Sequence, residues 1–157
     1  MQGCWFWLLV IFAIAILLLL LWLFSRPANG RRLAATLSGS QEVPAVTTAA
    51  TGSGNVFLSS NQQSVDYSFT VNNLTTPATA AHFHRGVAGQ NGPVVKDLNL
   101  ESLGNNSYRL RGRWTRQDAT QPLTNDLIND LLNGRLYVNV HTNQYPNGEV
   151  RGQVNVA

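Results

Sequence analysis

His82, His84 and His141 are the only histidines of the 157-residue chain, and their spacing suits joint work. In an extended segment, His82 and His84 emerge on one face and Phe83 on the other. Further along, Leu136, Val138 and Val140 alternate with Tyr137, Asn139 and His141, which puts His141 on the polar face of a second strand. Imidazole is the commonest metal ligand, and three of them suit copper or zinc. A closed site would take its fourth donor from Asp66, Asp97 or Glu149, because the single cysteine, Cys4, lies far away in sequence. The alternative is a hydrogen-bonded network in which backbone, Asn139 or Tyr67 satisfies each ring nitrogen. No serine, cysteine or paired-carboxylate arrangement offers competing nucleophilic or acid–base chemistry, so no enzyme and no obligatory cofactor are expected.

The elements that must carry these rings read as strands. Beyond residue 33 the pattern has period two and is interrupted by Gly, Asn and Pro, the signature of a mainly antiparallel sheet protein. Strands are expected over 33–37, 54–60, 64–71, 80–84, 94–98, 108–114, 135–141 and 149–156. In 64–71, Val65, Tyr67, Phe69 and Val71 share one face. Val56, Phe57 and Leu58 in succession break the alternation and suggest a bulge or a doubly covered edge. Over 121–133, Leu123, Leu127, Ile128, Leu131 and Leu132 recur at helical spacing, with Pro122 suited to the first turn and Gly134 to the end.

Arg109, Arg111 and Arg113 alternate with Leu110, Gly112 and Trp114, and Arg116 extends the row. One face of that strand is therefore basic and the other belongs to the core. Guanidinium groups favour two-point contacts with carboxylates, which makes the row a candidate docking strip for a partner protein or an anion. Nucleic acid is not the expected partner. From Leu33 onward eight basic residues balance eight acidic ones, so the net +3 comes from Arg26, Arg31 and Arg32 alone. Those three belong to a membrane interface, where they can meet lipid phosphate.

That interface is implied by Cys4 to Phe24, 21 residues without a charge. A helix of this length crosses the hydrocarbon core of a bilayer. The run is too long for a cleavable signal, lacks a basic region before it and has no small-x-small site after it, so it is expected to be retained as an anchor. Trp5, Trp7 and Trp22 lie near its ends, where amphipathic rings favour the headgroups. With Phe12 they form the candidate packing surface for integral membrane subunits. The run holds no ionisable ligand, and Cys4 reads as an inert thiol. The expected organisation is a tail over 1–3, a transmembrane helix over 4–24, a linker over 25–32 and one domain over 33–157.

Several segments together resemble the CHRD family, named for the chordin domain. They are Ala35-Thr-Leu-Ser-Gly-Ser-Gln-Glu-Val-Pro-Ala-Val, then Ala81-His-Phe-His-Arg-Gly with Asn91-Gly-Pro, then Leu136-Tyr-Val-Asn-Val-His-Thr, and finally Tyr145-Pro-Asn-Gly-Glu-Val-Arg-Gly-Gln-Val. The resemblance covers roughly 33–156 and implies a Greek-key β-sandwich, immunoglobulin-like or superoxide-dismutase-like, with one short helix after the transmembrane helix. His82-Phe83-His84 is also similar to the His-x-His strand of copper-zinc superoxide dismutases. The chain lacks their further histidine ligands, disulfide cysteines and charged guiding loop. The resemblance therefore implies a bacterial-type, membrane-anchored interaction or scaffold module and no enzyme. Its usual setting is outside the cytoplasm, whereas the three arginines after the anchor favour the inside; the resemblance is given precedence. The expectation is a single-pass accessory subunit of a larger inner-membrane complex, its domain in the periplasm. A copper- or zinc-binding module and a surface adhesion module are the alternatives.

Overall fold

The computed structural model describes residues 30–157, and the expected anchor with Cys4, Trp5, Trp7, Phe12, Trp22 and Arg26 lies outside the described residues. Within them the alternating pattern becomes antiparallel strands: β1 (Arg31–Ser38), β2 (Thr51–Leu58), β3 (Ser64–Asn72), β4 (Ala78–Arg85), β5 (Val94–Asp97), β6 (Leu100–Gly104) and β7 (Ser107–Thr115). After the helix α1 (Asn125–Leu132) come β8 (Leu136–Thr142), β9 (Val150–Gln153) and β10 (Asn155–Val156). No helix among the described residues is long and apolar enough to cross a membrane.

In place of the two separate sheets of a sandwich, the strands form one continuous sheet in the order β5-β4-β8-β9-β1-β2-β3-β7-β6, with β10 also on β1. The chain stays continuous because β1 serves both halves, pairing with β2 along its full length and with β9 at Ser38↔Arg151. The sheet curls into a half-barrel over a single core. Phe83 of β4 meets Tyr67 and Phe69 of β3 edge-on at 5.7 and 6.2 Å and stacks on Trp114 of β7 at 5.9 Å. These contacts close distant parts of the sheet onto each other. All four rings are buried, and truncating Phe83 to alanine should cost about 3–5 kcal/mol.

Four local expectations change. Val56, Phe57 and Leu58 show no bulge: β2 pairs without a break on both sides, with Val56 and Leu58 buried and Phe57 facing out. The expected strand over 149–156 divides, because β9 pairs with β8 whereas β10 crosses to β1. The helix is shorter than its apolar spacing suggests. Thr124 caps it by accepting a hydrogen bond from the Leu127 amide at 3.2 Å, so Pro122 lies before the first turn. Gly134, at φ +65°, follows it as anticipated. Finally, β6 is an additional strand. It joins β7 through Asn105 and Asn106, both near φ +50°, which is the backbone of a tight type I′ hairpin.

Candidate metal centre

The three histidines converge on the side of β4 and β8 turned away from the core. Register places His82 opposite Asn139 and His84 opposite Tyr137, while His141 lies opposite Ala80. The small Ala80 side chain leaves the His141 ring room to lean toward His82. As a result Nδ1 of His82 and Nε2 of His141 are 3.0 Å apart. One ring nitrogen from each of the three histidines lies within 4.8 Å of the other two.

Backbone carbonyls decide which nitrogens are free. His84 Nδ1 is 2.9 Å from the Gly92 carbonyl and His141 Nδ1 is 3.0 Å from the Pro146 carbonyl. A carbonyl can only accept, so each of these Nδ1 atoms must carry the proton and each Nε2 presents a lone pair. For His84 that atom is buried and has no hydrogen-bond partner among the described residues. His82 Nε2 lies 3.6 Å from Asp97 Oδ1. Two carbonyls and a carboxylate behind three imidazoles are the arrangement that orients rings toward a metal.

Electrostatics keeps the rings ready. Burial depresses the pKa of all three below the ordinary histidine range; mutual repulsion adds to this for His82 and His84, and Asp97 partly offsets it for His82. Near neutral pH the rings are therefore uncharged, and each keeps one nitrogen lone pair. His84 is buried, whereas His82 keeps 19 % of its side chain exposed, so the cluster opens toward solvent on one side.

Beneath the rings lies a polar layer that spacing did not reveal. Tyr137 stacks on His84 at 4.9 Å, and the Arg151 guanidinium sits 3.5 Å over the Tyr137 ring. Arg151 donates to the Val87 and Gln90 carbonyls, both at 2.9 Å, and to Asn91 Oδ1 at 3.3 Å. It thereby fastens the 86–93 loop that supplies the Gly92 carbonyl. Asn91 in turn donates to the Val43 carbonyl at 2.7 Å, and Asn139 donates to Glu42 at 3.4 Å. Burial raises the Glu42 carboxyl to about 7 against the opposing pull of Arg151 and Asn139. The signal was present in the sequence: Glu42, Asn91, Tyr137, Asn139 and Arg151 all stand in the segments that carry the resemblance.

Other candidates fall elsewhere. Neither Asn139 nor Tyr67 bonds a histidine nitrogen; two carbonyls take that role. Of the three acids considered as a fourth donor, Asp66 receives two hydrogen bonds from Arg113, at 2.6 and 3.0 Å. Glu149 is buried and bonded to Thr48, Thr75 and Thr142, so only Asp97 stands near a histidine. Arg109, Arg111 and Arg113 share the outer face of β7 and Arg116 follows in a turn, but they are not four free cations. Arg109 faces Glu101 at 3.3 Å, and Arg116 donates to the Gln62 carbonyl and Asn125. Arg111 has no side-chain hydrogen bond or ion pair among the described residues. Arg31 and Arg32 begin β1 and are exposed.

The sequence pattern of the CHRD domain matches residues 33–154. No curated protein matches the chain.

Proposed function

The chain belongs to the CHRD domain family, and from that premise we propose that its domain is a non-catalytic module binding one copper or zinc ion through His82, His84 and His141. The buried, unpartnered Nε2 of His84 carries this reading. A lone pair removed from water without a donor costs stability, and a metal ion would relieve that cost. The donor set fits: three neutral nitrogens suit either metal, and zinc–nitrogen bonds of about 2.0–2.1 Å need the rings to close by only a modest movement. Once bound, the ion would offer an open coordination position toward solvent. The protein's part is to hold the ring tautomers through Gly92 and Pro146 and to limit water at His84.

The finer setting belongs to the same proposal. The charge-free run from Cys4 to Phe24 supports a single-pass anchor in an inner membrane, with the domain in the periplasm as a bacterial-type member of the family. The immunoglobulin-like or superoxide-dismutase-like class is proposed on the family resemblance and on the two facing halves of the curled sheet. Metal analysis of the full-length protein in detergent, after equilibration with copper or zinc and removal of excess, should find one ion per chain. His82→Ala with His84→Ala should abolish it. A metal-free unsubstituted protein ends the proposal.

A second reading, an accessory subunit packed in a larger membrane complex, rests on an anchor without any ionisable ligand and with Trp5, Trp7, Phe12 and Trp22 as packing surface. Purification in mild detergent followed by mass spectrometry tests it; a chain that runs alone overturns it.

A further inference from the structure

We propose that the β1-start end of the domain is a membrane-docking surface that seats on anionic phospholipid headgroups and holds the histidine cluster at the far end, away from the bilayer. The inference rests on the anchor reading of Cys4–Phe24 and is independent of metal binding. Only five residues separate Phe24 from Gly30. Fully extended, that connection reaches about 20 Å. Arg31, next to Gly30, is held within that reach of the bilayer, whereas β1 carries the chain roughly 23 Å further before Ser38, so the β1-start end is the one the short connection favours.

What stands at that end fits headgroups. Arg31 pairs with Leu58 and Arg32 with Phe57, and β10 brings Val156 opposite Leu33. Phe57 and Val156 are two of the few large apolar side chains left exposed, at 39 % and 52 %. The Arg32 guanidinium lies 5.8 Å over the Phe57 ring. A recess of about 460 Å³ is lined by Gly30, Arg31, Arg32, Phe57 and Val156. A second recess shares Arg32 and Phe57 and continues up the sheet to Arg111. Its single acid, Asp66, is already neutralised by Arg113. Aromatic and aliphatic groups among uncompensated guanidiniums are what an anionic interface attracts.

The same register orders the rest of the domain. Ser38 meets Arg151, Leu136 and Tyr137 lie toward the β1-start end, and Thr142 toward the other, so His141 points away from the bilayer. Metal exchange would then take place on the aqueous side, clear of the headgroups.

Spin labels on the full chain, in a Cys4→Ser background, test this. Ser60→Cys reports the turn beyond β2 at the docking end, Asn143→Cys the opposite end, and Ile14→Cys the anchor. In nanodiscs of phosphatidylglycerol and phosphatidylcholine, the Ser60 label should favour oxygen over a water-soluble nickel chelate, as the Ile14 label does, while the Asn143 label should show the reverse. Arg31→Gln with Arg32→Gln, or phosphatidylcholine alone, should return the Ser60 label to water, the two substitutions shifting the docked-to-free ratio roughly 30-fold. A Ser60 label as wet as Asn143, or indifferent to lipid charge and to the substitutions, overturns the docking while leaving the anchor intact. Shielding from both reagents means a protein contact and also overturns it. An Ile14 label in water removes the anchor and the docking together.

Discussion

His82 Nδ1 faces His141 Nε2 at 3.0 Å, although the two residues are diagonal neighbours on β4 and β8 and not register partners. In the metal-free protein only one of these two nitrogens can be the donor. The Pro146 carbonyl already claims the proton of His141 at Nδ1, so His82 must supply the hydrogen at its own Nδ1. On the proposed metal-binding reading, this proton occupies the place a cation would take. Replacing that hydrogen with a cation turns both lone pairs inward.

This predicts a tautomer change at one histidine alone. Nitrogen-15 spectra of the metal-free protein at neutral pH should show His82, His84 and His141 all protonated at Nδ1. Zinc should move the His82 proton to Nε2, toward Asp97, and leave the other two unchanged. His82 retaining its Nδ1 proton in a zinc-loaded sample would exclude it as an Nδ1 ligand.

Acid should weaken both metal binding and the fold. All three rings titrate below the usual histidine value in the folded state. The unfolded chain therefore binds more protons as pH falls below about 6.5, and stability is lost through that window. Denaturant titrations between pH 7.5 and 5 in a Glu42→Gln background should trace the fall, because Glu42 titrates in the opposite sense over the same window. His84→Phe should flatten it, because a ring that cannot take a proton contributes no linkage.

Glu42 works in the opposite sense. Its folded pKa of about 7 exceeds the ordinary 4.5, so the stability it contributes is complete below the lower value and lost as pH rises through the upper one. Glu42→Gln cannot ionise. Relative to the unsubstituted protein, the variant should gain about 2–3 kcal/mol between pH 4.5 and pH 8. Denaturation curves at the two pH values measure this difference; equal curves would mean that Glu42 ionises as freely as a surface carboxylate.

How much of this was legible depended on whether a pattern was local. The alternation of Val65, Tyr67, Phe69 and Val71 predicts the buried face of β3, and the alternation around Tyr137 predicts the outward side of His141, because strand side chains obey period two whatever the sheet order. Sheet continuity was not readable, since it depends on β1 pairing with β2 on one side and with β9 and β10 on the other. The strand β6 escaped because its residues 101–104 are all exposed and show no alternation, although Asn105-Asn106 is a legitimate hairpin turn signal. Within the site, the histidines announced themselves by type. Glu42 and Arg151 did not, because Arg151 meets Asn139 through the β8–β9 pairing and Glu42 reaches them from a loop over the outer face of the sheet, and neither relation is local in sequence.

Gly148 shows how tightly those loops close. At φ +129° it occupies backbone that side chains avoid, and a Cβ there would overlap the Asn139 amide and come within 2.7 Å of Glu42 Oε1. Gly148→Ala should cost about 2–4 kcal/mol in denaturant titrations. A loss under about 0.5 kcal/mol, the usual surface value, would mean that the 142–149 segment is not seated on Glu42.

Arg151→Lys separates charge from shape beneath the histidine cluster. Lysine keeps the cation but cannot fork to the Val87 and Gln90 carbonyls and Asn91 while lying flat on Tyr137. The substitution should cost about 2–4 kcal/mol, since Arg151 is 1 % exposed and its partners would stay buried and unpaired. Amide exchange should quicken across 87–92, the loop that Arg151 fastens. Because the Gly92 carbonyl fixes the His84 proton and Tyr137 supports the His84 ring, metal affinity should fall about 10- to 100-fold although no ligand has changed. Unaltered affinity in a destabilised Arg151→Lys protein would show that the arginine supports the fold and leaves the orientation of His84 to the sheet.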